Sequence, residues 1–286
     1  MQGGQIGRAA GSSDGATSDR EQPMTYDIDL SGQVGLITGA GHGVGRSTAL
    51  AFSLAGAHVL VNDFDPALAE AVAGEITDAG GQATPIPFDV SDYVAVRAAI
   101  DAAPGVDILV NNAGNAGPPV AGVSVSVGRF VETEPEEWDR YFAVNLFGVM
   151  NCTRAVLPHM LETSSGRVIT LVSEAGRVGE PRMAPYAAAK AGAAGFMRAI
   201  AKEVGASGIT ANCVSLGTVD TIGLAKMAEE SEEWAERLAK QKKAYITRRL
   251  GTPDDVAGVI TFLASGRGSW ITGQTYPVNG GYTVNQ

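Results

Sequence analysis

Cysteine and histidine are scarce in this chain: 2 Cys and 3 His among 286 residues. Cys152 and Cys213 form no CxxC pair and no Cys/His ligand spacing, so neither a zinc site nor a secreted disulfide framework is expected. Both are expected as small core residues, and no metal is expected. Basic residues are also in deficit, with 21 Lys and Arg against 31 Asp and Glu for a net charge of −10. A surface of that sign repels polyanions, which excludes a nucleic-acid partner. No run of about eighteen apolar residues occurs, so no transmembrane helix and no membrane partner are expected. The opening residues MQGGQIGRAAGSSDGATSDREQP lack the apolar stretch of a signal peptide. Residues 1–28 are expected as a disordered tail, with Met24 as an alternative start, and the chain as cytoplasmic.

What the chain does have is apolar content, 45% of its residues, enough for a substantial core. No internal repeat or linker divides residues 29–286. Strands are expected in QVGLIT, HVLVND, TPIPFDV, DILVNN, RVITLVS, TANCVSLG and QTYPVNGG, several almost continuous in Val, Ile and Leu. Helical periodicity falls near 44–56, 66–79, 92–103, 135–161, 184–205 and 253–265. Such alternation builds a parallel sheet with right-handed crossovers, either an open doubly wound sheet or a closed barrel.

The first strand runs into TGAGHGVG and then a helix, which favours the open sheet. At such a junction, backbone N–H groups and a helix N-terminus cradle a pyrophosphate, and side chains would obstruct it. Gly39, Gly41, His42, Gly43 and Val44 are the candidate cradle, and Gly45 is fitted to helix–strand contact. His42 is read as an exposed loop residue, since no carboxylate is placed to orient it for acid–base work. The second strand ends in Asp63, where a carboxylate accepts from both adenosine ribose hydroxyls and repels a 2′-phosphate. Phe64 follows where an arginine would welcome that phosphate, so NAD is expected over NADP.

In VSEAGRVGEPRMAPYAAAK, Ser173 precedes Tyr186 and Lys190. Tyr186 and Lys190 are i and i+4, so on a helix they share a face. Hydride transfer from an alcohol needs a partner for the hydroxyl proton, and a tyrosine whose pKa a neighbouring cation lowers can serve. Bringing it from about 10 to neutrality asks for roughly 4 kcal/mol.

The glycine turn, NNAG at Asn111 to Gly114, Asn145 in YFAVNLFG, and Ser173, Tyr186 and Lys190 together resemble the short-chain dehydrogenase/reductase family over Leu30 to Gln286. The resemblance implies one Rossmann-type domain with a seven-stranded parallel sheet, assembled as a homotetramer or homodimer. It also implies a catalytic group of Asn145, Ser173, Tyr186 and Lys190, with Asn145 binding a water that links Lys190 to solvent. Asp89 and Val90 are implied at the adenine, Asn112, Ala113 and Gly114 at the cofactor ribose, and Gly217, Val219 and Thr221 at the nicotinamide side. Where the family has Pro-Gly, this chain reads Leu216-Gly217, which leaves the nicotinamide loop less fixed.

Three segments are expected to set specificity: NAGPPVAGVSVSVGRF, AGRVGEPRMAP and residues 218–249. In the last, Leu224, Met227, Trp234 and Leu238 form a stripe that either closes over substrate or packs in a core or subunit interface. The basic cluster Lys240, Lys242, Lys243, Arg248 and Arg249 reads as a solvated face paired with nearby glutamates, or else as a holder of coenzyme A phosphates. The expected activity is interconversion of a bulky, apolar secondary alcohol (alicyclic, steroid-like or hydroxyacyl-CoA) and its ketone. The alternatives are an NADPH-dependent 3-oxoacyl reductase and a dinucleotide sensor without chemistry.

Overall fold

The structure is a computed structural model, and it describes residues 28–115, 119–120, 123–124, 129–221, 228–229 and 231–284. All but Ile28 of the expected N-terminal tail, most of the first specificity segment, and Leu224 and Met227 of the apolar stripe lie outside the described residues.

Seven parallel strands form one sheet: β1 (Val34–Ile37), β2 (His58–Val61), β3 (Gln82–Pro85), β4 (Ile108–Asn111), β7 (Gly166–Ser173), β8 (Ile209–Leu216) and β9 (Thr275–Val278). Their order is β3-β2-β1-β4-β7-β8-β9. The two-residue strands β5 (Pro119–Val120) and β6 (Val123–Ser124) pair separately and antiparallel. Consecutive strand residues alternate faces, as the pleat demands. Leu36, Leu60, Leu109 and Val168 pack into one apolar layer, while Ile37, Val61, Val110 and Ile169 pack into the other.

The first layer is closed by α3 (Tyr93–Asp101), α5 (Val149–Thr163) and α7 (Ala184–Val204). The second is closed by α1 (Gly43–Leu54), α2 (Pro66–Asp78) and the helix Pro253–Ala264. This is an open, doubly wound sheet, and its strand order reverses between β1 and β4, which opens a crevice at their carboxyl ends. Cys152 and Cys213 are both free and buried in the core.

Two elements differ from the sequence reading. The third strand lies at Gln82–Pro85, not 84–90, because Pro85 and Pro87 offer no ladder N–H. Beyond it, the carbonyls of Ile86 and Phe88 accept from the Asn62 side chain at 3.1 and 3.0 Å. The segment read as one helix over 135–161 is α4 (Pro135–Phe142), a π-helical turn Ala143–Gly148, and then α5. A short helix α6 (Ala175–Val178) follows β7. Helix α8 (Glu232–Lys243) carries the remaining half of the stripe, where Leu238 is buried with Tyr245 and Leu250 and is joined by Trp234. The helix Pro253–Ala264 is α9.

Candidate active site

The turn after β1 is shaped by glycines for steric reasons. Gly39 has φ +60°, and a Cβ there would stand 2.9 Å from the Ala113 Cα. A Cβ on Gly45 would stand 2.3 Å from the Gly39 carbonyl oxygen, so only glycine permits this closeness. Thr38 and Asn112 lock the turn to β4: the Thr38 hydroxyl accepts from the Asn112 and Ala113 N–H groups at 3.0 Å each. The Asn112 amide donates to the Thr38 and Gly39 carbonyls at 2.8 Å each.

Helices α2, α3 and α9 are capped by Asp65, Asp92 and Thr252. Helix α1 starts after His42 with no side-chain cap and no acidic residue in its first turn. Its N-terminal N–H groups and dipole thus favour an anion from outside the chain. Asp63 is buried behind this turn, accepting from the Gly41 N–H at 3.0 Å and from the Asp65 N–H at 3.1 Å. Arg46, on the first turns of α1, is engaged with Glu75 through both its Nε and Nη2.

On the other side of the crevice, β7 ends in Ser173 and α7 brings Tyr186 and Lys190 to face it. Ser173 accepts from the Ala175 N–H at 3.2 Å and hydrogen-bonds Tyr186. The Tyr186 ring meets Tyr141 edge-on at 6.5 Å. Lys190 is buried, donates to the Leu171 carbonyl at 2.8 Å, and sits 5.9 Å from the Tyr186 ring centroid. Burial lowers the ammonium to about 8. Burial also raises the Tyr186 phenol above its ordinary value, and the Ser173 hydrogen bond only partly offsets this. The expected fall of the tyrosine pKa is therefore not a property of the chain's own residues: Lys190 is directed at a backbone carbonyl, and its charge is itself weakened by burial.

A cleft of about 840 Å³ joins the two sides. Gly39, His42, Gly43, Val44, Asp63, Phe64, Asp89, Val90, Asn112, Ala113, Gly114, Ser173, Tyr186, Lys190, Gly217, Val219 and Thr221 all line it. Among these, His42 is exposed, Phe64 is 80% exposed, and Asp89 holds Ser91 through its N–H and hydroxyl at 2.8 Å each.

Two singled-out residues stand behind the cleft wall. Gly41 packs on Asp63. Asn145, fully buried on the π-helical turn, donates to the carbonyls of Asn115 at 2.7 Å and Tyr141 at 3.0 Å and accepts from the Asn115 N–H at 3.1 Å. Its amide fixes the segment after β4 that carries Gly114, where a Cβ would stand 3.2 Å from Asn145 Oδ1 and 3.4 Å from Lys190 Nζ.

The loop lacking proline is anchored by other means. Val219 bridges to Gly251, the Asp220 N–H donates to the Gly251 carbonyl at 2.8 Å, and the Thr218 N–H donates to the Tyr245 hydroxyl at 2.8 Å. Sequence reasoning missed Asn62, which lines the cleft and accepts weakly from the Gly39 N–H at 3.4 Å while holding the chain after β3. An asparagine at a strand end carries no local signal for such reach. The basic cluster does not pair with the nearby glutamates at Arg249, which instead grips Asp255 at 2.5 and 2.7 Å.

A Rossmann-type sheet whose switch-point crevice joins an uncapped glycine-turn helix to a Ser, Tyr and Lys group defines a dinucleotide-dependent oxidoreductase. Comparison with known proteins agrees. Residues 39–283 match the family model described as enoyl-(acyl carrier protein) reductase. The chain is 36% identical to the (2S)-[(R)-hydroxy(phenyl)methyl]succinyl-CoA dehydrogenase subunit BbsD of Thauera aromatica, over 90% of this chain and 99% of that one. It is 37% identical to a 3-oxoacyl-[acyl-carrier-protein] reductase of Synechocystis, over 89% of this chain and 98% of the relative.

Among solved structures, a 3-oxoacyl-[acyl-carrier protein] reductase with bound NAD from Brucella melitensis superposes with a TM-score of 0.80 at 36% identity, covering 90% of this chain and 95% of that one. A gluconate 5-dehydrogenase from Burkholderia cenocepacia in complex with NADP and tartrate gives a TM-score of 0.80 at 32% identity, covering 91% and 98%. The chain belongs to the short-chain dehydrogenase/reductase family. It is an oxidoreductase acting between hydroxyl and keto groups with a nicotinamide dinucleotide.

Proposed function

We propose that the protein is an NAD-dependent dehydrogenase that interconverts a bulky, apolar secondary alcohol and its ketone. The observation that carries this reading is the single cleft lined both by the α1 turn with Asp63 and by Ser173, Tyr186 and Lys190. The N-terminus of α1 would hold the pyrophosphate. Asp63 would hold the adenosine ribose, and its carboxylate at the cleft wall, with Arg46 engaged by Glu75, favours NAD over its 2′-phosphorylated form. When bound, the nicotinamide supplies or accepts the hydride.

The chain's own residues manage the proton and the pose. In oxidation Tyr186 would act as the tyrosinate and take the alcohol proton, in reduction the phenol would give that proton to the carbonyl oxygen, and Ser173 would donate to the substrate oxygen and orient it. Lys190 would supply a donor for the nicotinamide ribose, and the field that favours the tyrosinate would come from it together with the oxidised nicotinamide's own positive charge. Asn145 keeps Gly114 and Asn115 in register beside Lys190. The alcohol's size is inferred from the apolar walls Val144, Leu171, Val172 and Leu216, and from a relative whose name describes a phenyl-bearing hydroxyacyl-CoA thioester.

The test is nicotinamide absorbance with NAD⁺ across secondary alcohols from small aliphatics to alicyclics, steroids and hydroxyacyl-CoA thioesters, with Tyr186→Phe alongside. Turnover lost by roughly 10²–10⁴-fold in the variant is expected. Turnover that survives Tyr186→Phe would sink the assignment.

A second reading is NADPH-dependent reduction of a 3-oxoacyl thioester; its substrate class is that of the Synechocystis and Brucella relatives, both 3-oxoacyl-[acyl-carrier-protein] reductases, although the Brucella structure holds NAD. Parallel titration with NADH and NADPH separates the two, because tighter NADPH binding would select it.

A further inference from the structure

One buried carboxylate beside the cleft has no part in the scheme above. Glu174 follows Ser173 directly, is 2% exposed, and donates its N–H to the Leu216 carbonyl at 3.0 Å. Its Oε1 accepts from the Ser215 hydroxyl at 2.7 Å and from Arg177 Nη1 at 2.8 Å. Its Oε2 accepts from the Thr283 hydroxyl. Burial alone would raise this carboxyl's pKa, but Thr283, Ser215 and Arg177 outweigh it and hold the group below its ordinary value.

Thr283 is itself oriented. Asn279 donates to the Thr283 hydroxyl at 3.0 Å and to its carbonyl at 3.2 Å, so a directed chain runs from Asn279 through Thr283 to Glu174. The preceding residue makes a matching contact, in which the Tyr282 hydroxyl donates to Glu180. The Tyr282 ring packs 5.5 Å from Tyr245, whose hydroxyl holds the Thr218 N–H. Two consecutive residues beyond β9 thus each grip a carboxylate of the segment that links Ser173 to the helix of Tyr186 and Lys190.

We propose that Tyr282 and Thr283 form a clasp on residues 174–183, and that Glu174 is a positioning residue that sets Ser173 against the substrate oxygen. The role of Ser173 rests on the alcohol–ketone reading above, whereas the clasp itself does not. Charge-assisted bonds of this kind are the strong ones, and a buried carboxylate that loses a donor is left under-satisfied.

The test compares the full-length protein with Thr283→Val and Thr283→Ser by hydrogen exchange on peptides covering 174–183. Exchange roughly tenfold faster in Thr283→Val, and restored in Thr283→Ser, is expected. On the alcohol found by the panel, kcat should fall by a similar factor in Thr283→Val while the dinucleotide Kd stays unchanged, and Thr283→Ser should recover it. Tyr282→Phe is the second variant and should speed exchange in the same peptides.

Unchanged exchange in both Thr283→Val and Tyr282→Phe would overturn the clasp. Faster exchange with wild-type kcat would overturn the positioning role of Glu174. Turnover that survives Tyr186→Phe strikes the alcohol–ketone reading alone, since the exchange result stands independently of it.

Discussion

Lys190 titrates at two different pH values in the folded and unfolded chain, which makes its burial measurable. In the unfolded state it keeps its proton to about 10.5, whereas in the folded state burial brings the group to about 8. Below the lower value both states are charged and the whole cost of burying the ammonium stands. Between the two values the unfolded state binds more protons, so this group makes stability rise with pH; above the higher value its effect is gone.

From about pH 7 to 9.5 the proton difference integrates to roughly 1.4 units, or about 2 kcal/mol. Lys190→Met removes the titration and keeps a flexible stem. Urea denaturation of both proteins without dinucleotide should show the variant's advantage over wild type shrinking by about 2 kcal/mol across that range. Taking the difference cancels the other titrating groups. A gap that stays constant with pH would refute the argument that burial controls this charge. Turnover should be lost in the variant at every pH, so the same position would be costly for stability and needed for function.

Asp63→Ala should erode the preference for NAD over NADP; an unaltered ratio of the two Kd values would place the ribose-binding acid elsewhere. Gly45→Ala drives a methyl against the Gly39 carbonyl oxygen at 2.3 Å, and should cost about 1–3 kcal/mol in thermal unfolding and weaken dinucleotide binding. A variant with wild-type melting and affinity would show that the turn relaxes freely. Thr252→Ala removes the hydroxyl that accepts from the Asp255 N–H at 3.3 Å at the start of α9, and should cost about 1 kcal/mol. An unchanged melting temperature would mean that Asp255, held well below the usual carboxylate range by Arg249, secures the helix start alone.

The sheet was legible because buried parallel strands read as unbroken apolar runs: β1, β2, β4 and β9 fall within the segments so read, and β7 and β8 start one residue before theirs. The glycine turn was legible because its steric demand is local. Tyr186 and Lys190 were legible because helical spacing fixes their shared face. The contacts of Asn62, Glu174 and Thr283 were not, since each depends on side chains brought together from distant parts of the chain. The end of β3 was obscured for a related reason: its prolines and the Asn62 amide release the chain from the ladder before the apolar run ends. The pKa of Tyr186 was misjudged because spacing reports proximity to Lys190 but says nothing about the Leu171 carbonyl that claims its ammonium.

The π-helical turn at Ala143–Gly148 joins α4 and α5 without a break in helical backbone but gives them separate angular registers. A residue added to a helix advances everything beyond it by about 100°. Deleting one residue within that turn would let an uninterrupted α-helix form, but Asn145 could not then keep Asn115 while Cys152, Val156 and Met160 kept their places in the core. The wide turn therefore works as a phase shifter, letting one helix obey the geometry of the cleft at its first half and the geometry of the sheet at its second.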